Sequence, residues 1–221
     1  MKIGVISIFP EMFKNIFAYG VVRRALQNKS ATLHLVNPRQ FSARVDDLPY
    51  GGGKGMVMKY EPLRDAIEHT LTILDDPRII FPTPSGVPLT QAKLKSWVGK
   101  NLLFICGRYE GIDQRLIDHY VHEEVCIGDF VVSGGELPTM MILDGLFRLL
   151  PEVLGNQAST EDESFEDQLL GYPVYTRPRV VDGLEVPPIL LLGHHANIAN
   201  WRQRQRISKT SSIRKDLLKE D

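Results

Sequence analysis

The sequence predicts an α/β fold with a mainly parallel sheet, followed by a small C-terminal helical domain. Three observations predict it. Short apolar or β-branched runs alternate with segments of helical spacing through the first two-thirds of the chain. The 221 residues are 43% hydrophobic, enough for one substantial core with a small appendage. After Pro151 the texture changes to a polar, acidic stretch with no periodicity.

The elements follow in order. Residues 3–9 are β-branched and read as the first strand, and 12–27 have helical spacing broken near Gly20. Residues 32–36 read as a second strand. Residues 60–74 are helical, with Leu63, Ala66, Ile67, Thr70, Leu71 and Leu74 on one face. Residues 78–81 are a short buried strand, and 90–98 a helix with Thr90 as its cap. Strand 102–106, helix 112–120 and strand 124–127 come next. Helix 138–150 carries Pro138 in its first turn, where a missing N–H does no harm. These segments make residues 1–154 one domain. Residues 155–175 read as a linker or functional loop, and residues 176–221 as a helical domain with a helix from 196 to about 206 and another near the end.

Ligands of such sheets sit at loops leaving the carboxyl ends of strands, which points to the loops after Phe81, Cys106 and Ile127. No apolar run approaches a membrane span, and the apolar start is too short for a signal peptide, so the expected location is the cytoplasm. Cys106 and Cys126 sit in apolar runs and read as buried thiols. They form no zinc spacing, and His119 with His122 lacks further ligands, so no metal site is expected. Net charge is −1, which by itself indicates no nucleic-acid partner. Yet residues 197–215 contain no acid, while Arg202, Arg204, Arg206, Lys209, Arg214 and Lys215 are basic. This tail is either a phosphate-binding footprint or a solvated helix face.

Three glycine-rich loops carry the remaining signal. Gly51-Gly52-Gly53-Lys54-Gly55-Met56 has neither P-loop nor dinucleotide spacing; it is a flexible loop or a place for close backbone approach. Cys106-Gly107-Arg108-Tyr109-Glu110-Gly111 puts charged Arg108 and Glu110 at the ligand edge. In Ile127-Gly128-Asp129-Phe130-Val131-Val132-Ser133-Gly134-Gly135-Glu136-Leu137-Pro138 the glycines expose backbone polar groups just before a helix N-terminus. No phosphate cradle of standard type is present, which suits an adenine-and-ribose ligand without a polyphosphate.

Pro49-Tyr50 with the first of these loops, the other two loops, and Tyr175-Thr176-Arg177-Pro178 together closely resemble the bacterial tRNA (guanine-N1-)-methyltransferases, of the SPOUT class. The resemblance runs from Met1 to about Leu218, in the same order and with nearly constant spacing. It implies an α/β domain with a deep trefoil knot, a homodimer with active sites at the subunit interface, and methylation of N1 of the guanosine 3′ of the tRNA anticodon, at position 37. By motif match, S-adenosylmethionine would contact Pro84, Gly107, Tyr109 and Glu110. Ile127, Gly128, Asp129, Phe130, Val131, Val132, Gly134, Gly135, Leu137 and Pro138 would complete the pocket. Phe130 stands where a Tyr is common, and Val132 where a Leu is common. The resemblance also carries a dependence on Mg²⁺, for which the sequence shows no ligand constellation.

The chemistry asks for a carboxylate base, because guanine N1 is protonated, and for a cation where charge develops on O6. The family's arginine matches Arg148. Its aspartate precedes Ser-Phe, where this chain reads Thr160-Glu161-Asp162-Glu163-Ser164-Phe165. Gap-free counting puts Glu163 there; Asp162 is one residue earlier, and a shift of the linker would present it. Gly193-His194-His195-Ala196 and Trp201-Arg202 resemble the family's C-terminal domain, which binds the anticodon stem-loop. A non-catalytic RNA-binding module, or an enzyme methylating ribose or another base, are the competing readings.

Overall fold

A computed structural model describes residues 1–154 and 163–218 of the chain. Two compact units are present, Met1–Gly155 and Asn156–Asp221.

The first unit is built on a five-stranded, wholly parallel sheet. Its strands are β1 (Lys2–Ile6), β2 (Thr32–Val36), β5 (Arg78–Pro88), β6 (Leu102–Ile105) and β7 (Glu123–Cys126), in the spatial order β2-β1-β6-β5-β7. Two short strands, β3 (Asp46–Asp47) and β4 (Val57–Met58), pair antiparallel beside it. Successive residues of a strand point to opposite faces, so β6 feeds two cores. Leu102 and Phe104 pack with Ile3, Val5, Phe13, Leu143 and Phe147 on one side. Leu103 and Ile105 pack with Leu63, Ile67, Phe81 and Leu116 on the other. Helices α1 (Phe13–Phe17), α2 (Gly20–Gln27), α4 (Gln91–Trp97) and α6 (Glu136–Phe147) cover the first face. Helices α3 (Tyr60–Leu71) and α5 (Gln114–Tyr120) cover the second. A sheet covered on both faces explains why its strands read as continuous apolar runs.

Most expected elements are present, with boundaries moved for identifiable reasons. Thr90 caps α4 as expected, its hydroxyl accepting from Lys93 N (3.2 Å). Helix α3 stops at Leu71, and α6 starts two residues before Pro138. The strand expected at 78–81 runs on to Pro88, because Pro82 and Val87 both pair with Val125. Residues 83–86 leave the ladder between those two pairings and stand out at its carboxyl end.

In the second unit, α7 (His195–Ile213) is one continuous helix where two short segments were expected. A β-hairpin that the sequence reading missed, β8 (Val180–Val181) and β9 (Leu184–Glu185), turns through Asp182 and Gly183, both with positive φ (52° and 78°). Asp-Gly at the centre of a two-residue turn is the sequence signal for such a hairpin. Segment 163–171 bonds to α7: Leu170 N donates to Thr210 Oγ1 (2.9 Å), and Arg206 is paired with Asp167. Arg206 is buried, so the basic run on α7 is not a uniform cationic face; Arg204 and Lys209 are its exposed members, and Lys215 is exposed just beyond the helix.

Candidate functional site

The loops leaving β5, β6 and β7 enclose a cleft of about 230 Å³ at the carboxyl edge of the sheet. The chain reverses its direction across the sheet here, since β6 returns to lie between β1 and β5. Crevices at such switch points are where open parallel sheets bind ligands.

One wall is the excursion after β5, with Phe81, Pro82, Thr83 and Pro84. A second is Gly107–Gly111 after β6, and the third is the run from Ile127 to Gly135 with Pro138 of α6. Pro84, Gly107, Tyr109, Glu110, Ile127, Gly128, Phe130, Val131, Val132, Gly134, Gly135 and Pro138 all line the cleft. Asp129 and Leu137 lie outside this lining. The sequence list had left out Phe81, Thr83, Arg108 and Ser133, which line it as well.

Two glycines set the shape of this cleft. Gly135 N donates to Gly107 O (2.9 Å), drawing the β7–α6 loop onto the end of β6. A Cβ on Gly135 would lie 2.8 Å from Cys106 Cα and 3.0 Å from Gly107 N, both rigid backbone. A Cβ on Gly134 would collide with the Arg108 side chain. We expect Gly135→Ala to force these backbones apart, at about 1–3 kcal/mol of stability by overpacking. Thermal unfolding of the variant measures it, as a drop in Tm.

Tyr109, half-exposed at the rim, adopts a positive φ of 61°. Strained non-glycine backbone of this kind collects at ligand clamps. Its neighbour Glu110 is held by the glycine-rich loop, where Glu110 N donates to Met56 O (3.0 Å) and the carboxyl group stacks over Gly55. The loop at residues 51–56 is thus docked beside the cleft.

Beneath the cleft lies Glu136, fully buried. Its Oε2 accepts from Arg108 Nε (2.8 Å) and its Oε1 from Ser7 Oγ (2.6 Å). The sequence offered a signal for it, a lone charge at the head of an apolar helix. Burial pushes the Cys106 thiol well up, with the nearby Glu136 carboxylate adding to the effect, so it stays protonated and inert as a nucleophile. Among the described residues no group of three His, Cys, Asp or Glu side chains could hold a metal ion.

Arg148 caps the far end of α6, its N–H donating to Asp144 O (3.3 Å). Twelve helical residues separate it from Gly135, or about 18 Å at 1.5 Å per residue. Within one chain, then, Arg148 is not in the cleft. Asp162 lies outside the described residues, and Glu163 begins the described part of the second unit.

The profile of the family described as tRNA (Guanine-1)-methyltransferase TrmD matches residues 1–220. A tRNA (guanine-N(1)-)-methyltransferase of Francisella philomiragia is 48% identical over 99% of this chain and 88% of its own length. Enzymes of the same name from Hydrogenovibrio crunogenus (47% identical) and Thermosynechococcus vestitus (48%) each align over 98% of this chain and 94% of theirs.

Proposed function

The chain belongs to the tRNA (guanine-1)-methyltransferase family, and from that premise we propose that it transfers a methyl group from S-adenosylmethionine to N1 of guanosine at position 37 of tRNA. The observation that carries the reading is the cleft itself, formed by two of the loops that hold the family's motifs, Gly107–Gly111 and Ile127–Gly135, together with the excursion after β5.

The residues of the cleft fit the donor. Its lining is apolar at Phe81, Pro82, Pro84, Ile127 and Pro138, with backbone polar groups at the glycine turns. Arg108, the cation among the lining residues, is already engaged by Glu136. A polyphosphate would meet no free positive charge there, whereas a nucleoside bearing a sulfonium needs none. Gly107, Gly134 and Gly135 would hold it by backbone, with Tyr109 and Phe130 at the rim. When bound, S-adenosylmethionine supplies an electrophilic methyl carbon and leaves as the neutral thioether.

The chain's own residues then manage the guanine. A carboxylate takes the N1 proton so that the ring nitrogen can attack, and Arg148 faces the negative charge that develops on O6. We assign the base to Asp162. The extra methylene of Glu163 would displace its carboxylate by roughly 1 Å, a scale of misplacement that can cost about 100-fold. The resemblance carries Mg²⁺ as well, but no step is assigned to it.

Because Arg148 sits a helix length from its own cleft, the reading includes a homodimer in which Arg148 serves the site of the partner. Supporting this, Leu137 and Met141 on α6 are about half-exposed (49% and 59%), and Phe130 and Val131 of the preceding loop are exposed as well. Apolar helix faces of this kind belong in an interface. Among the described residues, no helix is long and apolar enough to cross a membrane.

The second unit would bind the anticodon stem-loop through exposed cations. We expect Arg204→Ala with Lys209→Ala to weaken tRNA binding at all sequences and reduce the slope of log K against log salt by about 2. Arg206→Ala should leave the slope unchanged and lower stability by roughly 1.5 kcal/mol, since it removes partly buried, charge-assisted hydrogen bonds to Asp167. Filter binding at several salt concentrations and a thermal melt separate the two.

The function itself is tested by incubating the protein with a tRNA transcript bearing G37 and methyl-labelled S-adenosylmethionine, then digesting to nucleosides for mass spectrometry. Labelled 1-methylguanosine is expected, and none from a transcript with A37. Label on ribose, or on another base, would contradict the reading.

A further inference from the structure

The buried carboxylate of Glu136 has no part in the chemistry above, yet it is placed where three chain segments meet. Ser7 follows β1, and besides donating to Glu136 its Oγ accepts from Phe9 N (2.9 Å). Arg108 follows β6 and reaches Glu136 through Nε (2.8 Å). Its other nitrogens donate to Ser133 O and Oγ (3.3 and 3.4 Å) and to Met12 Sδ (3.3 Å), and its guanidinium lies 4.7 Å over the Phe9 ring. Gly134 forms an antiparallel bridge with Arg108, and a Cβ there would also lie 2.7 Å from Glu136 Oε2. The glycine at that position leaves room for the ion pair to pass between two walls of the cleft.

Such an arrangement is a poor device for stability alone. Removing two charges from water is costly, and apolar replacements of a buried ion pair are often neutral or stabilising. What the pair does supply is direction. A planar guanidinium with a fixed fork of donors joins three segments at set distances, and among the described residues the carboxylate is its charged partner.

We infer that Glu136 is a positioning residue for the donor cleft: through Arg108 and Ser7 it fixes the spacing between the Gly107–Gly111 wall and the Ser133–Gly135 wall, and so sets affinity for the methyl donor without touching it. The inference rests on the reading that the cleft holds S-adenosylmethionine. It places the effect on the donor and not on the RNA.

The test is calorimetric titration of S-adenosylmethionine into the full chain, beside tRNA binding and a thermal melt, for wild type, Glu136→Gln, Ser7→Ala and the double variant Arg108→Met/Glu136→Leu. Glu136→Gln is expected to weaken donor binding about tenfold or more, since cleft walls displaced by a fraction of an ångström misplace the ligand, while tRNA affinity stays level. Ser7→Ala keeps the ion pair and should show a smaller weakening in the same direction, a readout that survives if Glu136→Gln folds poorly. In the double variant the apolar pair should recover the melting temperature while donor affinity remains low. Donor affinity equal to wild type in both single variants would overturn the inference, as would a double variant that recovers Tm and affinity together. Wild-type protein that bound no donor would instead overturn the cleft assignment, and this inference with it.

Discussion

Asp162→Ala is expected to lower kcat about 100- to 10,000-fold, the usual worth of a positioned general base, with donor affinity unchanged. Guanine N1 carries its proton at neutral pH, so until a base removes it the nitrogen has no free pair to attack a methyl carbon. Two groups beside the cleft of the first unit are not available to replace that base. Cys106 is held protonated by burial, and Glu136 is committed to Arg108 and Ser7. Single-turnover methylation at saturating donor and tRNA measures the chemical step. Glu163→Ala, one residue on, should change the rate only a few-fold. The reverse result, a large loss at Glu163 and little at Asp162, would move the base to the position that gap-free spacing from Arg148 indicates.

Arg148→Ala should reduce kcat about 100- to 1,000-fold, the magnitude seen when one stabiliser of a developing oxyanion is removed. Arg148→Lys should recover part of the loss, because a lysine keeps the charge but not the forked geometry. The position of Arg148 at the far end of α6 gives a sharper version of the experiment. If it serves the partner's cleft, Arg148→Ala chains have an intact cleft and lack only the cation. Gly135→Val chains have the cation and a blocked cleft. Mixed and re-assembled, the two inactive variants should regain activity that neither has alone, since one site of each mixed dimer is whole. No recovery on mixing, with dimers demonstrably exchanged, would place Arg148 in the site of its own chain.

The sheet was legible in the sequence because it is buried on both faces, so each strand is a short apolar run bounded by turn residues. The cleft followed from that, since the loops after β5, β6 and β7 could be located before any ligand was considered. What escaped was tertiary. Nothing local in residues 83–86 shows that the chain leaves the ladder and rejoins it at Val87, because the pairing is with Val125, far along the chain. Glu136 read as part of the loop before the helix expected at 138–150, and its partners Ser7 and Arg108 come from two other segments. Arg206 counted as one more cation in a basic tail, and only its burial against Asp167 removes it from the phosphate-facing set. The hairpin at 180–185 had a local signal, Asp182-Gly183, inside the stretch 176–221 that was read as a helical domain.

In the proposed function, the glycine turns at the carboxyl edge of the sheet are the seat of the methyl donor. A crystal structure of the full chain with S-adenosylmethionine tests it most directly. Density for the donor is expected between the loops leaving β5, β6 and β7, against Gly107, Gly134 and Gly135. Density for the donor at any other place on the chain, with that cleft empty, would contradict it.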